Sequence, residues 1–69
     1  MTRYKIAQKV GKRIRILRRR KKLTQEELAE KIKIHVSTLG RIERGESNPP
    51  LHTLNKIAGA MGVSLKEIA

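Results

Sequence analysis

The run Leu23-Thr24-Gln25-Glu26-Glu27-Leu28-Ala29-Glu30-Lys31-Ile32 decides how the rest of the chain is read. Thr24 followed three positions later by Glu27 is a capping box, in which the hydroxyl accepts from the Glu27 amide and the carboxylate accepts from the Thr24 amide. A helix begins there, with Leu28, Ala29 and Ile32 on one apolar face and the Glu27/Lys31 pair one turn apart on the outside. After the break Lys33-Ile34-His35, the residues Leu39, Ile42 and Val36 mark a second, shorter helical stripe. Arg44 and Gly45 end it with a basic last turn and a glycine just beyond.

Outward from this pair, Ala7, Val10, Ile14 and Leu17 recur at spacings of three and four between Tyr4 and Lys22, which predicts an amphipathic helix. Its other faces carry Lys9, Lys12, Arg13, Arg15, Arg19 and Arg20. The like-charged pairs Lys9/Arg13 and Arg15/Arg19 each cost about 0.2–0.5 kcal/mol in an isolated helix. In the other direction, Glu46-Ser47-Asn48-Pro49-Pro50 is a loop, because two prolines cannot continue a helix. Leu54, Ile57, Ala58 and Met61 then mark a helix closed by Gly62, and Ser64-Leu65-Lys66-Glu67 is a second capping box that opens a short last helix. Strand alternation and internal repeats are absent from the sequence, as is any low-complexity segment beyond the basic run. The expected fold is all-α, a compact bundle of about five short helices.

A length of 69 residues fits one domain over 1–69. With 1% aromatic residues and no Cys, the core must be aliphatic and neither a disulfide framework nor a thiolate zinc site is available. The charged start Met1-Thr2-Arg3-Tyr4-Lys5 resembles no signal peptide, and a cytoplasmic location is expected. Residues 1–22 hold 11 basic side chains and no acid, whereas residues 23–69 hold 6 basic and 6 acidic, so the net charge of +11 resides at one end. A polyanionic partner follows from such a one-sided excess. A membrane surface suits it poorly, since Ala7, Val10, Ile14 and Leu17 suffice only to pack the first helix on its own domain. Single-stranded nucleic acid needs aromatic stacking platforms, and Tyr4 stands alone. Double-stranded DNA is the expected partner.

Two short helices across Lys33-Ile34-His35 have the spacing of a helix-turn-helix. The Leu23 to Ile32 run, with Arg41-Ile42-Glu43-Arg44-Gly45 and Asn48-Pro49, resembles the Cro and repressor-like family, also called XRE-type regulators. The tail from Leu54 to Leu65 is similar to that family's closing helices, and the likeness spans roughly Val10 to Ala69. It implies a lambda-repressor-like bundle and a sequence-specific DNA-binding transcriptional regulator, a repressor, whose third helix enters the major groove.

The resemblance further implies a partly buried structural ion pair between Arg18 and Glu43, and a phosphate-binding role for Gln25 at the start of helix 2. If Leu39 and Ile42 face the core, helical spacing sends Val36, Ser37, Gly40, Arg41 and Arg44 to the opposite side. There Arg41 can grip guanine bidentately, Ser37 can bond any base edge, and Val36 can meet a thymine methyl, with Gly40 allowing close backbone approach. Arg13, Arg19, Thr38, Arg44 and the Ser47-Asn48 loop are the expected phosphate contacts. A homodimer is expected on half-sites about 10–10.5 base pairs apart, joined through Val63 to Ile68 and the end of helix 4. Three residues depart from the family pattern. Lys33 stands in place of a turn glycine, His35 replaces the usual Ser or Thr cap, and Gly40 interrupts the third helix.

His35 and His52 are far apart and lack Cys partners, so no metal is expected. No catalytic constellation, cofactor or small-molecule ligand is expected either. One alternative remains open, an antitoxin-like or other protein-interaction module whose basic helix meets an acidic partner.

Overall fold

The computed structural model describes residues 3–69, with side chains from Lys5 onward; Met1, Thr2 and the one aromatic ring, on Tyr4, lie outside the described residues. The elements are α1 (Arg3–Arg20), α2 (Gln25–Lys31), α3 (Val36–Glu43), α4 (Leu51–Met61) and α5 (Leu65–Ile68), with no strand among the described residues. The all-α expectation holds. α2 starts as its sequence dictates, with the Glu27 amide donating to Thr24 Oγ1 at 3.0 Å and the Thr24 amide donating to Glu27 Oε1 at 2.8 Å. At α5 the Ser64 amide donates to Glu67 Oε2 at 2.8 Å.

The first four helices end in one way. After α1 the Leu23 amide reaches the Arg18 carbonyl, after α2 the Ile34 amide reaches Ala29, after α3 the Glu46 amide reaches Arg41, and after α4 the Val63 amide reaches Ala58. Each is the six-to-one bond of a Schellman motif, which requires a left-handed residue just before the donor. Gly45 (φ 74°) and Gly62 (φ 70°) supply it without strain, whereas Lys22 and Lys33 adopt it at φ 58°. The turn between α2 and α3 therefore keeps the left-handed geometry in spite of its lysine, at about 1–2 kcal/mol. His35 precedes α3 without a side-chain capping bond.

Ile14, Leu17, Leu28, Ala29, Ile32, Leu39, Ile42, Ile57, Ala58, Met61 and Ile68 form the buried core, with Val10, Leu23, Ile34, Leu54, Ala60 and Val63 packed at its edge. α1 spans the bundle, touching α3, α4 and α5, while α2 lies against α3 and α4. The α1–α3 crossing is close because of Gly11, where an added Cβ would sit 2.2 Å from the Ile42 carbonyl oxygen and 2.7 Å from that of Glu43. Gly45 meets Gln8 in the same way, 2.5 Å from its Cα, so the end of α3 rests directly on the α1 backbone.

Two expected roles meet other contacts in the fold. Arg13, expected at a phosphate, donates from Nε and Nη2 to the Glu67 carbonyl at 3.2 and 3.1 Å, tying α1 to α5. Two positions from Arg15, it falls on the opposite flank of α1. Ile68, expected at a dimer interface, is 1% exposed and belongs to the core, because the short α5 folds back onto α1 and α4.

Candidate nucleic-acid interface

Leu39 and Ile42 are buried at 0% and 2% exposure, so α3 is anchored by one side. Helical geometry then turns Val36, Ser37, Thr38, Arg41 and Arg44 outward, and all of them are exposed. Ser37 and Arg41 stand one turn apart on that face, and Val36 lies at its first turn. Gly40, expected on this face, is buried instead. A Cβ there would lie 3.0 Å from Arg44 Nη1 and 3.8 Å from Gln25 Oε1, so the missing side chain makes room for those two groups.

Behind the face, Arg15, Arg18, Arg19, Gln25, Glu43 and Arg44 line a cleft between α1, α2 and α3. Its floor is an ion pair. Arg18 Nε donates to Glu43 Oε2 at 2.6 Å and Nη2 donates to Oε1 at 3.0 Å, while Nη1 donates to the Leu23 carbonyl at 2.7 Å. Both residues are buried, at 7% and 6% exposure, and no buried side-chain polar atom among the described residues lacks a partner. Gln25 Nε2 donates to Glu43 Oε1 at 3.0 Å, which fixes the start of α2 to the same carboxylate. Arg15, Arg19 and Arg44 are exposed around the cleft. Ser47 is half-buried and Asn48 exposed in the loop beyond α3.

Arg44 carries a second relationship. Its Nε donates to Glu46 Oε2 at 2.8 Å and its Nη2 to Oε1 at 3.3 Å, both side chains being about half exposed at 57% and 52%. The hydrogen bond from Arg44 holds the Glu46 carboxyl below its usual range, with the charges of Arg44 and Arg41 adding to it, and raises Arg44 in return.

Sequence reasoning places Arg15 on the basic face but not beside this cleft, and it gives no sign of the Arg44/Glu46 pair, the Arg13 tether or the Gly11 crossing. The Arg15/Arg19 spacing was the available signal, since two arginines one turn apart persist in a helix despite their repulsion. Among the described residues no group of three His, Cys, Asp or Glu gathers as a metal would require. No helix of the described residues is long and apolar enough to cross a membrane.

Residues 14–68 match the family described as Helix-turn-helix. The chain belongs to that family. It is a domain of the DNA-binding transcription-regulator class. Among its relatives, the immunity repressor protein of Bacillus phage phi105 is 48% identical over 59 residues, which are 86% of this chain and 41% of the phage protein. The uncharacterized HTH-type transcriptional regulator YazB of Bacillus subtilis (strain 168) is 41% identical over 59 residues, 86% of each chain. The restriction-modification controller protein C.AhdI from Aeromonas hydrophila superposes with a TM-score of 0.88 at 36% identity, covering 91% of this chain and 96% of that one.

Proposed function

We propose that this chain binds double-stranded DNA sequence-specifically by laying α3 in the major groove, and that it acts as a repressor. The observation that carries the reading is the division of α3: Leu39 and Ile42 are buried while Ser37 and Arg41 stand exposed one turn apart. Arg41 contacts a guanine and Ser37 a neighbouring base edge, with Val36 against a thymine methyl. Arg15, Arg19, Arg44, Thr38, the remaining amide hydrogen of Gln25 and the Ser47-Asn48 loop serve the flanking phosphates. The name of the phage immunity repressor supports repression as the outcome, and that of YazB supports transcription regulation.

A homodimer completes the reading. The body measures 30 × 23 × 20 Å, a size that lets two copies lie side by side on half-sites roughly 34 Å apart. Ala60 at the end of α4 and Val63 and Leu65 beyond it, all half-buried, remain for the contact once Ile68 is assigned to the core.

Titration of random-sequence and operator-containing duplexes at two salt concentrations tests the proposal. Expected is a steep fall in affinity with salt, near one decade per decade of salt for each phosphate neutralised, and a persistent preference for one sequence. No duplex binding at low salt would overturn it and favour an acidic protein partner.

A further inference from the structure

The Schellman ends of α1, α2, α3 and α4 place Leu23, Ile34, Glu46 and Val63 at the equivalent donor position. Three of these four pack against the core edge, as the motif's usual apolar contact demands. Glu46 does not: its side chain is 52% exposed and is turned onto the Arg44 guanidinium, two residues back. A position that packs elsewhere in the molecule is thus spent on an exposed carboxylate, a local departure of the kind that marks function rather than folding. The exposed pair itself does little for stability.

Geometry explains what the carboxylate does there. Two oxygens accept from Arg44 Nε and Nη2, the same fork a backbone phosphate would use. Arg44 also lines the cleft with Arg15 and Arg19, the exposed cations that the DNA-binding reading assigns to flanking phosphates. We propose that Glu46 is a built-in phosphate surrogate, occupying Arg44 in the free protein and giving it up to a DNA phosphate on binding. The inference rests on the DNA-binding reading above. It gives Glu46 the task of holding down sequence-independent affinity in a chain of net charge +11, for which loose binding to any duplex is the main hazard.

A double-mutant cycle with Glu46→Gln and Arg44→Ala, read on random duplex of fixed length across a salt series, tests this. Both side chains are exposed, so circular dichroism and melting should match the unaltered protein in all variants. Glu46→Gln should bind about fivefold more tightly at low salt, with the salt slope unchanged because Arg44 meets the same phosphate in both proteins. In the Arg44→Ala background the same substitution should change affinity less than about twofold, because no guanidinium remains to be released. An equal gain in both backgrounds would make Glu46 a general charge effect and overturn the surrogate role, and so would no gain in the presence of Arg44. Absence of duplex binding by the unaltered protein at low salt would instead overturn the DNA reading, and the inference with it.

Discussion

Arg18 and Glu43 are joined by two hydrogen bonds, at 2.6 and 3.0 Å, in the buried junction between α1 and the last turn of α3. Because Gln25 donates to the same carboxylate, one acidic side chain sets the mutual positions of α1, α2 and α3. Removing one partner leaves a buried charge without its counterion, which costs about 3–5 kcal/mol. For a chain of 69 residues that is much of the total stability. Arg18→Met and Glu43→Leu should therefore each lower the urea midpoint sharply, while the double variant should recover most of the loss. A double variant as unstable as the two single losses added together would contradict the pairing.

Two glycines should respond oppositely to alanine, although each sits inside a helix where alanine is favoured by about 1 kcal/mol. At Gly11 the new methyl meets backbone oxygens of Ile42 and Glu43, which cannot move without separating α1 from α3. Overpacking of this kind costs about 1–3 kcal/mol, so Gly11→Ala should lower the melting temperature. At Gly40 the neighbour at 3.0 Å is the far end of the Arg44 side chain, which can move aside. Gly40→Ala should leave stability unchanged or raise it while displacing Arg44 and weakening DNA binding. Thermal melts of both variants check the signs.

Lys33 holds a left-handed backbone at φ 58° between α2 and α3. Relief of about 1–2 kcal/mol of strain outweighs the roughly 0.5–1 kcal/mol entropic cost of glycine. Lys33→Gly should thus stabilise the protein modestly in chemical denaturation. A loss would show that the lysine side chain compensates for its backbone.

The Glu27 carboxyl lies below its ordinary value of 4.5, chiefly through the Thr24 amide and then the Thr24 hydroxyl. A carboxyl depressed in the folded state contributes stability that is present above its unfolded value and lost as pH falls through its folded value. Melting temperature should accordingly hold above pH 4.5 and decline below it. Glu27→Gln should flatten that decline. Thr24→Ala should cost about 1 kcal/mol at neutral pH by removing the cap. An acid limb unchanged in Glu27→Gln would assign it to other groups.

The helix order and the core were legible because they follow from local chemistry: capping boxes at Thr24 and Ser64, apolar spacing in each helix, and glycines at 45 and 62. The outward face of α3 was legible for the same reason, since Leu39 and Ile42 fix its rotation. What escaped depended on which helix lies against which. Arg13 and Arg19 are equivalent as residues of a basic helix, and only the return of α5 gives one of them the Glu67 carbonyl. Gly40 has the periodicity of an outward residue, yet the long side chains of Arg44 and Gln25 close over it. Gly11 is silent in sequence because its neighbours, the carbonyls of Ile42 and Glu43, lie more than thirty residues away in the chain.

Selection of bound duplexes from a random pool, run in parallel with the unaltered protein and with Arg41→Ala, is the most direct test of α3 as the reading element. The unaltered protein should enrich a two-fold symmetric site with half-sites about one helical turn apart. Arg41→Ala should lose preference at one position of each half-site, at about 1–3 kcal/mol, and keep the others. Enrichment of the same sequence with the same strength by both proteins would contradict the account.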